Sequence, residues 1–269
     1  MHTCYYGISA EQTIKLFRKK KCILFFSMIL ATLMCATFLT LFEKHNLLNF
    51  ILTIIVYFVV LILVYKKNKK IVRELFCILE LDCDPIKLYK QLDCLRIVGK
   101  RAKINLLFWK ALIGKFADEH MEEGYEALKK IKSMNGLNAI YLLALEASYA
   151  YRRNDVEEYF RIADELFNMQ KPNGKQLQLY NQACETVKIQ CLFFKGQYEE
   201  SLKLCMSKYK GKADTSLNNV SVVRHIADCK WHLGKKADAV EYYQFVADCG
   251  GTTYMVKYAQ GMLDTYYSK

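Results

Sequence analysis

Proline is nearly absent from this 269-residue chain, occurring only at Pro85 and Pro172, and its twelve glycines fall mostly between periodic segments. Alternation of apolar and polar residues over strand-length stretches is scarce, so the sequence offers little from which to build a sheet and little to interrupt helices. Charge is missing altogether from two long stretches. Cys22 to Phe42 and Leu47 to Tyr65 contain no Asp, Glu, Lys or Arg, and no proline or glycine. At about 1.5 Å per residue each forms a helix roughly 28 to 31 Å long, the thickness of a bilayer's hydrocarbon core. Only Glu43, Lys44, His45 and Asn46 separate them. The pair reads as a transmembrane helical hairpin, with nearly all the rest of the chain on the other side from that short turn.

Other absences narrow the reading further. A secretory signal carries a short basic region and a small-x-small cleavage site, whereas here the apolar run starts only at residue 22 and a second follows at once. Met34, before Cys35, is too large for a lipoprotein cleavage site, so Cys35 reads as a lipid-facing or packing residue. The eleven cysteines are odd in number and show no recurring C-x-x-C, which favours free thiols over a disulfide framework. No phosphate-binding loop, zinc-protease helix, nucleophile elbow or kinase signature occurs, and neither an enzyme nor a cofactor is expected.

The net charge of +12 is unevenly placed: residues 1–70 hold ten Lys and Arg against two Glu, giving +8, which leaves +4 for residues 71–269. Lys15, Arg18, Lys19, Lys20 and Lys21 precede the first span, and Lys66, Lys67, Lys69 and Lys70 follow the second. By the positive-inside rule both flanks, and with them both termini, are cytoplasmic in a two-pass protein of the cell membrane. The preferred reading is that these clusters only fix orientation; the alternative is that they also attract anionic headgroups, at about 1 kcal/mol per residue. Three regions follow: a basic N-terminal helix at 1–21, the hairpin with its flanks at 22–70, and a cytoplasmic helical domain at 71–269. Ser9 with Gln12 forms a capping box that starts the first helix. The spacing of Ile71, Leu75, Ile78 and Leu79 carries the second span past the bilayer to Asp82, and Asp84 with Pro85 starts the next helix.

Beyond that point a weak repeat runs through the chain. Gly196, Gln197, Tyr198, Glu199, Glu200, Ser201 and Leu202 read as a turn into a helix with an acidic pair and then a small residue. Gly234 to Val240 keeps the same glycine five residues before the small Ala239; Asn154 to Tyr159 and Met121 to Gly124 are looser copies. On these residues the chain resembles the tetratricopeptide repeat superfamily, whose units are helix-turn-helix pairs. The equivalent positions are Gly124, Tyr159, Ser201 and Ala239, spaced 35, 42 and 38 residues apart. Ile226, Ala227 and Leu233 match the first helix of the best copy. Tyr159 is bulky where a small residue is expected, Lys188 and Ile189 replace a leucine-glycine pair, and no proline ends any unit. The fold expected is therefore all-α: a transmembrane helical hairpin followed by a tetratricopeptide-like α-solenoid of helix pairs.

The pairs Glu122-Glu123, Glu157-Glu158 and Glu199-Glu200 read as solvated helix starts favoured by the helix dipole. His225, Cys229 and His232 share one helix face, but i and i+7 lie about 10.5 Å apart along the axis, so packing and a surface histidine are expected there and no metal. Basic residues such as Lys100, Arg101, Lys103, Lys208, Lys210 and Lys212 read as solvated loops, and no nucleic acid is expected. What remains is a protein or peptide partner. The resemblance implies a concave groove lined by Tyr141, Ser148, Tyr151 and Arg152 in one unit, by Gln190, Phe193 and Phe194 in the next, and by Arg224, Asp228, Trp231 and His232 in the last. Phe193 and Phe194 are expected to pack between helices, and Asp228 stands where a carboxylate-binding clamp has asparagine. The function expected is a membrane-anchored cytoplasmic adaptor binding a protein or peptide, with the bilayer as its other partner. The alternative is an accessory or immunity-type subunit of a membrane transporter, acting through Ser27, Thr32, Cys35, Ala36, Thr37 and Thr40 of the first span.

Overall fold

The structure, a computed structural model, describes residues 2–42, 47–92, 99–134 and 138–268, in which twelve α-helices occur and no strand. It divides into two compact units, one ending at Ile78 and the other beginning at Leu79. The expected turn at 43–46 and Cys94 lie outside the described residues.

The first unit holds α1 (Ala10–Phe42) and the body of α2 (Leu47–Leu81). α1 starts at the expected capping box: the Ser9 amide donates to Gln12 Oε1 at 3.0 Å and the Gln12 amide to Ser9 Oγ at 3.2 Å. With 33 and 35 residues the helices measure about 50 Å each, so both outrun the roughly 30 Å of a hydrocarbon core. Two stretches, Ala10–Phe38 and Ile51–Leu81, are long and apolar enough to cross a membrane. Their side chains are uncovered: Phe26 is 67% exposed and Met34 62% on α1, and Phe58 58% and Leu63 59% on α2. A core helix of a water-soluble domain hides such a surface. The hydroxyls of Ser27, Thr32, Thr37 and Thr40 each donate back to a carbonyl of their own helix, at Ile23, Met28, Met34 and Thr37.

At the basic ends the packing changes. Phe17 and Leu24 of α1 and Ile71, Leu75 and Ile78 of α2 are buried, Lys20 Nζ meets Glu74 Oε2 at 2.9 Å, and Lys21 Nζ donates to Asn68 Oδ1. The Lys20–Glu74 pair ties α2 to α1 beyond residue 70, and the compact unit runs to Ile78.

The second unit contains α3 (Pro85–Leu92), α4 (Lys100–Gly114), α5 (Met121–Ser133), α6 (Ala139–Arg152), α7 (Val156–Phe167), α8 (Lys175–Phe194), α9 (Tyr198–Met206), α10 (Leu217–His232), α11 (Lys236–Cys249) and α12 (Tyr254–Tyr267). Asp84 caps α3, its Oδ1 accepting from the Lys87 amide at 2.9 Å. From α3 onward each helix packs on the next, and α6 also meets α8. The core is shared in the same sequence. Leu145 and Tyr149 of α6 join Ile104 of α4 and Leu128 of α5, while Leu143 and Ala147 of α6 join Ile162 of α7 and Val187 of α8. Ile189, Cys205 and Ile226 then link α8, α9 and α10. Burying each such aliphatic side chain contributes about 1.5–3 kcal/mol.

The repeat positions read from the sequence are structurally equivalent. Gly124, Tyr159, Ser201 and Ala239 are each the fourth residue of their helix, α5, α7, α9 and α11, and each is buried. The acidic pairs open the first turns of α5, α7 and α9. The turns repeat too. Asn154, Gly196 and Gly234 have φ of 56°, 74° and 78°. The following amide reaches back five residues in all three: Asp155 to Ala150 O at 3.0 Å, Gln197 to Leu192 O at 2.9 Å and Lys235 to Lys230 O at 2.9 Å. That is a Schellman closure, which needs a left-handed residue, and asparagine is the non-glycine that tolerates it at Asn154.

Within this unit the two ends of the array meet. The Thr252 amide donates to Cys83 O at 3.0 Å, Thr252 Oγ1 donates to Asp84 Oδ1 at 2.7 Å, and the Tyr254 amide donates to Phe116 O at 2.8 Å. A Cβ at Gly251, whose φ is 60°, would lie 2.3 Å from Cys83 O, so only glycine lets the strand of backbone approach this closely.

Candidate functional site

Four of the eleven expected groove residues, Tyr151, Arg152, Arg224 and Asp228, come together where α6 and α10 meet the start of α12. The centre is Arg224. Its Nη1 lies 3.4 Å from Asp228 Oδ2, and its guanidinium faces the rings of Tyr151, Tyr254 and Tyr258 at 5.6, 5.9 and 5.5 Å. Asp228 Oδ1 accepts from Tyr243 OH at 2.8 Å. Arg224 and Asp228 are 9% and 3% exposed, so they do not line an open groove as expected. The reason is α12, whose first turns carry Tyr254 and Tyr258 onto α10 once Thr252 is fastened to Cys83 and Asp84. Burial pulls the Arg224 pKa down, but Tyr254, Asp228 and Tyr151 outweigh it and hold the guanidinium charged. For Tyr151, Tyr243 and Tyr258 burial pushes the phenol pKa up, and all three stay protonated.

Arg152 is held in the same way. Its Nη1 donates to Gly114 O at 2.8 Å and Ala117 O at 3.3 Å, its Nη2 pairs with Asp118, and Tyr254 lies 4.2 Å from the guanidinium. Beside this, Asp118, Tyr254, Lys257, Tyr258, Gly261 and Met262 line a shallow depression of about 470 Å³.

A buried hydrogen-bond chain runs inward from Tyr151. Tyr151 OH lies 3.1 Å from His225 Nδ1, and His225 Nε2 lies 2.9 Å from Ser201 Oγ, which donates to Ile189 O at 2.9 Å. Since the one hydroxyl proton of Ser201 is committed to Ile189, Nε2 carries the ring proton and donates to Ser201, and Nδ1 accepts from Tyr151. A histidine activating a serine nucleophile needs the opposite polarity at Nε2. Burial, and then the Arg224 charge, push the His225 pKa down to about 3, so the ring is neutral. Both of its nitrogens are engaged, Cys229 is buried with its thiol pKa pushed up to about 11, and His232 stacks on Tyr198 with ring centroids 4.7 Å apart. Among the described residues no group of three or more His, Cys, Asp or Glu is placed to hold a metal ion.

The remaining expected residues are dispersed. Gln190 Oε1 accepts from Tyr159 OH at 2.7 Å, and Ser148 Oγ donates to Ala144 O at 2.7 Å. Phe193 and Phe194 pack among Tyr151, Tyr159, Phe160 and Tyr198, between helices as expected. Tyr141 is 41% exposed with its ring edge-on to Phe108. His232 is exposed, and Trp231 is half-buried, edge-on to Tyr243 and Tyr266 with the Lys236 ammonium over its ring. The residues missed from sequence are Asp118, Tyr254 and Tyr258. Their signal was the i, i+4 spacing of two tyrosines in a segment that lies beyond the last repeat. The ten described cysteines are free thiols. Comparison with protein-family models, with curated proteins and with solved structures returns no match to this chain.

Proposed function

We propose that this chain is a membrane-anchored adaptor, its two apolar helices spanning the cell membrane and its helical second unit binding a protein or peptide on the cytoplasmic side. The observation that carries the reading is the uncovered apolar surface of α1 and α2, in contrast to a second unit that buries its own apolar residues between consecutive helices. The Schellman turns and the buried fourth residue of α5, α7, α9 and α11 support a tetratricopeptide-like array. Its inner arginines are taken up by α12, so the partner surface we propose is the edge formed by half-buried Trp231 and exposed His232 on α10, with Tyr141 on α6. Tethering keeps a weak partner at high effective concentration. The hydroxyls of the first span are satisfied within their own helix, which leaves a lateral transporter subunit less to gain from them.

Three measurements test this. Reporters active on one side of the membrane, fused to each terminus, should report the cytoplasm, because the basic clusters flank the hairpin on that side; an externally active C-terminal fusion overturns the orientation. Capture from detergent-solubilised membranes, read by mass spectrometry, should yield one protein with the full chain and again with residues 82–269. A partner retained only by the full chain favours the span-mediated alternative. For the captured partner, Trp231→Ala should cost on the order of 2 kcal/mol and Lys235→Ala under about 1 kcal/mol. Equal affinities for wild type and Trp231→Ala, with unchanged circular dichroism, place the binding surface elsewhere.

A further inference from the structure

The two basic flanks, separate in sequence, stand at one level in the first unit. Lys21 donates to Asn68 and Lys20 pairs with Glu74 at 2.9 Å, which fixes the register of α1 against α2 at their basic ends. On either side of these links Arg18 and Lys19 of α1 and Lys66, Lys67, Lys69 and Lys70 of α2 are all exposed, and none of the six has an ion-pair partner among the described residues. They begin one residue past Tyr65 and end three before Cys22, and Lys66 to Lys70 span about 6 Å along the axis. That matches the headgroup layer, which adds roughly 5–7 Å to each side of a hydrocarbon core. Exposed apolar side chains, Ile23 and Phe25 on α1 and Leu63 and Tyr65 on α2, border the cations on the span side. Glu11 and Glu74 are the only acids of residues 2–42 and 47–78, and Glu74 is already paired with Lys20. Like charges this close repel unless a counter-charge is supplied, and the spacing is below the Debye length, so salt screens them only in part.

We propose that this band is a binding surface for anionic phospholipids of the leaflet it faces, selecting them over zwitterionic lipids as its annular neighbours. The inference rests on the membrane-spanning reading of α1 and α2. Setting orientation alone requires only an excess of cations on one side; the paired register adds a continuous two-helix band at headgroup depth with no internal counter-charge.

The test uses the full chain reconstituted in phosphatidylcholine vesicles, with spin-labelled phosphatidylglycerol or spin-labelled phosphatidylcholine as the probe of lipids held at the protein surface. The labelled anionic lipid should associate about tenfold more strongly than the labelled zwitterionic one in low salt. The ratio should fall toward one in 1 M salt and in K66Q/K67Q/K69Q/K70Q, and hold in K66R/K67R/K69R/K70R. A ratio of one for the wild-type chain, or one unchanged by the glutamine substitutions, overturns the proposal. Extraction of the vesicles at alkaline pH separates the two levels. A chain that resists extraction yet shows a ratio of one defeats this inference only, whereas a chain that is stripped off defeats the membrane-spanning reading with it.

Discussion

His225 sits 5% exposed between two hydroxyls, one on each ring nitrogen, and next to a guanidinium. Protonating it would put a second cation beside Arg224 and turn the Nδ1 acceptor that Tyr151 requires into a donor. Its pKa is about 3 in the folded chain against 6.5 for an ordinary histidine. The sign follows from proton counting. Between those values the unfolded chain binds a proton that the folded chain refuses, so the histidine's contribution is complete above about pH 6.5 and is lost as pH falls toward 3. The loss is on the order of several kcal/mol, with a slope of up to about 1.4 kcal/mol per pH unit. Urea unfolding of the wild type and of His225→Gln at pH values from 7 to 4 isolates it, since the carboxylates titrate in both. The wild type should lose stability more steeply, and parallel profiles would sink the assignment of a neutral, proton-refusing ring.

At the scale of elements, α4 and α5 pack closely through a pair of glycines. Gly114 and Gly124 face each other there, and a Cβ on Gly124 would stand 2.3 Å from Tyr149 OH and 2.8 Å from Gly114 Cα. Tyr149 cannot swing away, because its hydroxyl donates to Ala111 O at 2.7 Å and its ring is 1% exposed. Gly124→Ala should therefore push the helices apart and cost about 1–3 kcal/mol. Gly261, inside α12, meets nothing within 4 Å, so Gly261→Ala should instead stabilise by up to about 1 kcal/mol. Thermal unfolding of the two variants should shift in opposite directions; a Gly124→Ala midpoint at or above wild type contradicts the packing. Gly124 also marks how far the sequence could be read. Local signals were legible: the Ser9 and Gln12 box, the Asp84 cap, and the repeat positions at the fourth residue of α5, α7, α9 and α11, bulky Tyr159 among them, because each is a short-range pattern. The role of Arg224 and Asp228 was not. Their spacing along α10 says which face they share, but only the link from Thr252 back to Cys83 and Asp84, across some 170 residues, decides that Tyr254 and Tyr258 cover that face.

At the scale of the whole chain, that link makes the second unit depend on its own last helix. In an open-ended array the terminal helix could be removed at the cost of one interface, leaving the rest intact. Here α12 contributes Tyr254 over Arg152, Tyr254 and Tyr258 over Arg224, and the Met255, Ala259 and Leu263 side chains buried in the core. Without it and the turn that leads into it, Arg224 and Asp228, a buried pair with tyrosine neighbours, face water on one side and lose aromatic cover, and Cys83 O, Asp84 Oδ1 and Phe116 O lose the bonds that Thr252 and Tyr254 donate. A fragment of residues 82–269 should be soluble without detergent and strongly helical, since the three shared core clusters lie wholly inside it. Residues 82–249 should lose far more than the fourteen residues of α12. Its cooperative unfolding should weaken or vanish, and amide exchange should quicken at the start of α3 and in the α4–α5 turn, which are distant in sequence from the cut. Circular dichroism melts and hydrogen exchange on the two fragments decide the matter: equal protection of residues 83–84 and 114–118 in both would mean that the two ends of the array are not held together by α12.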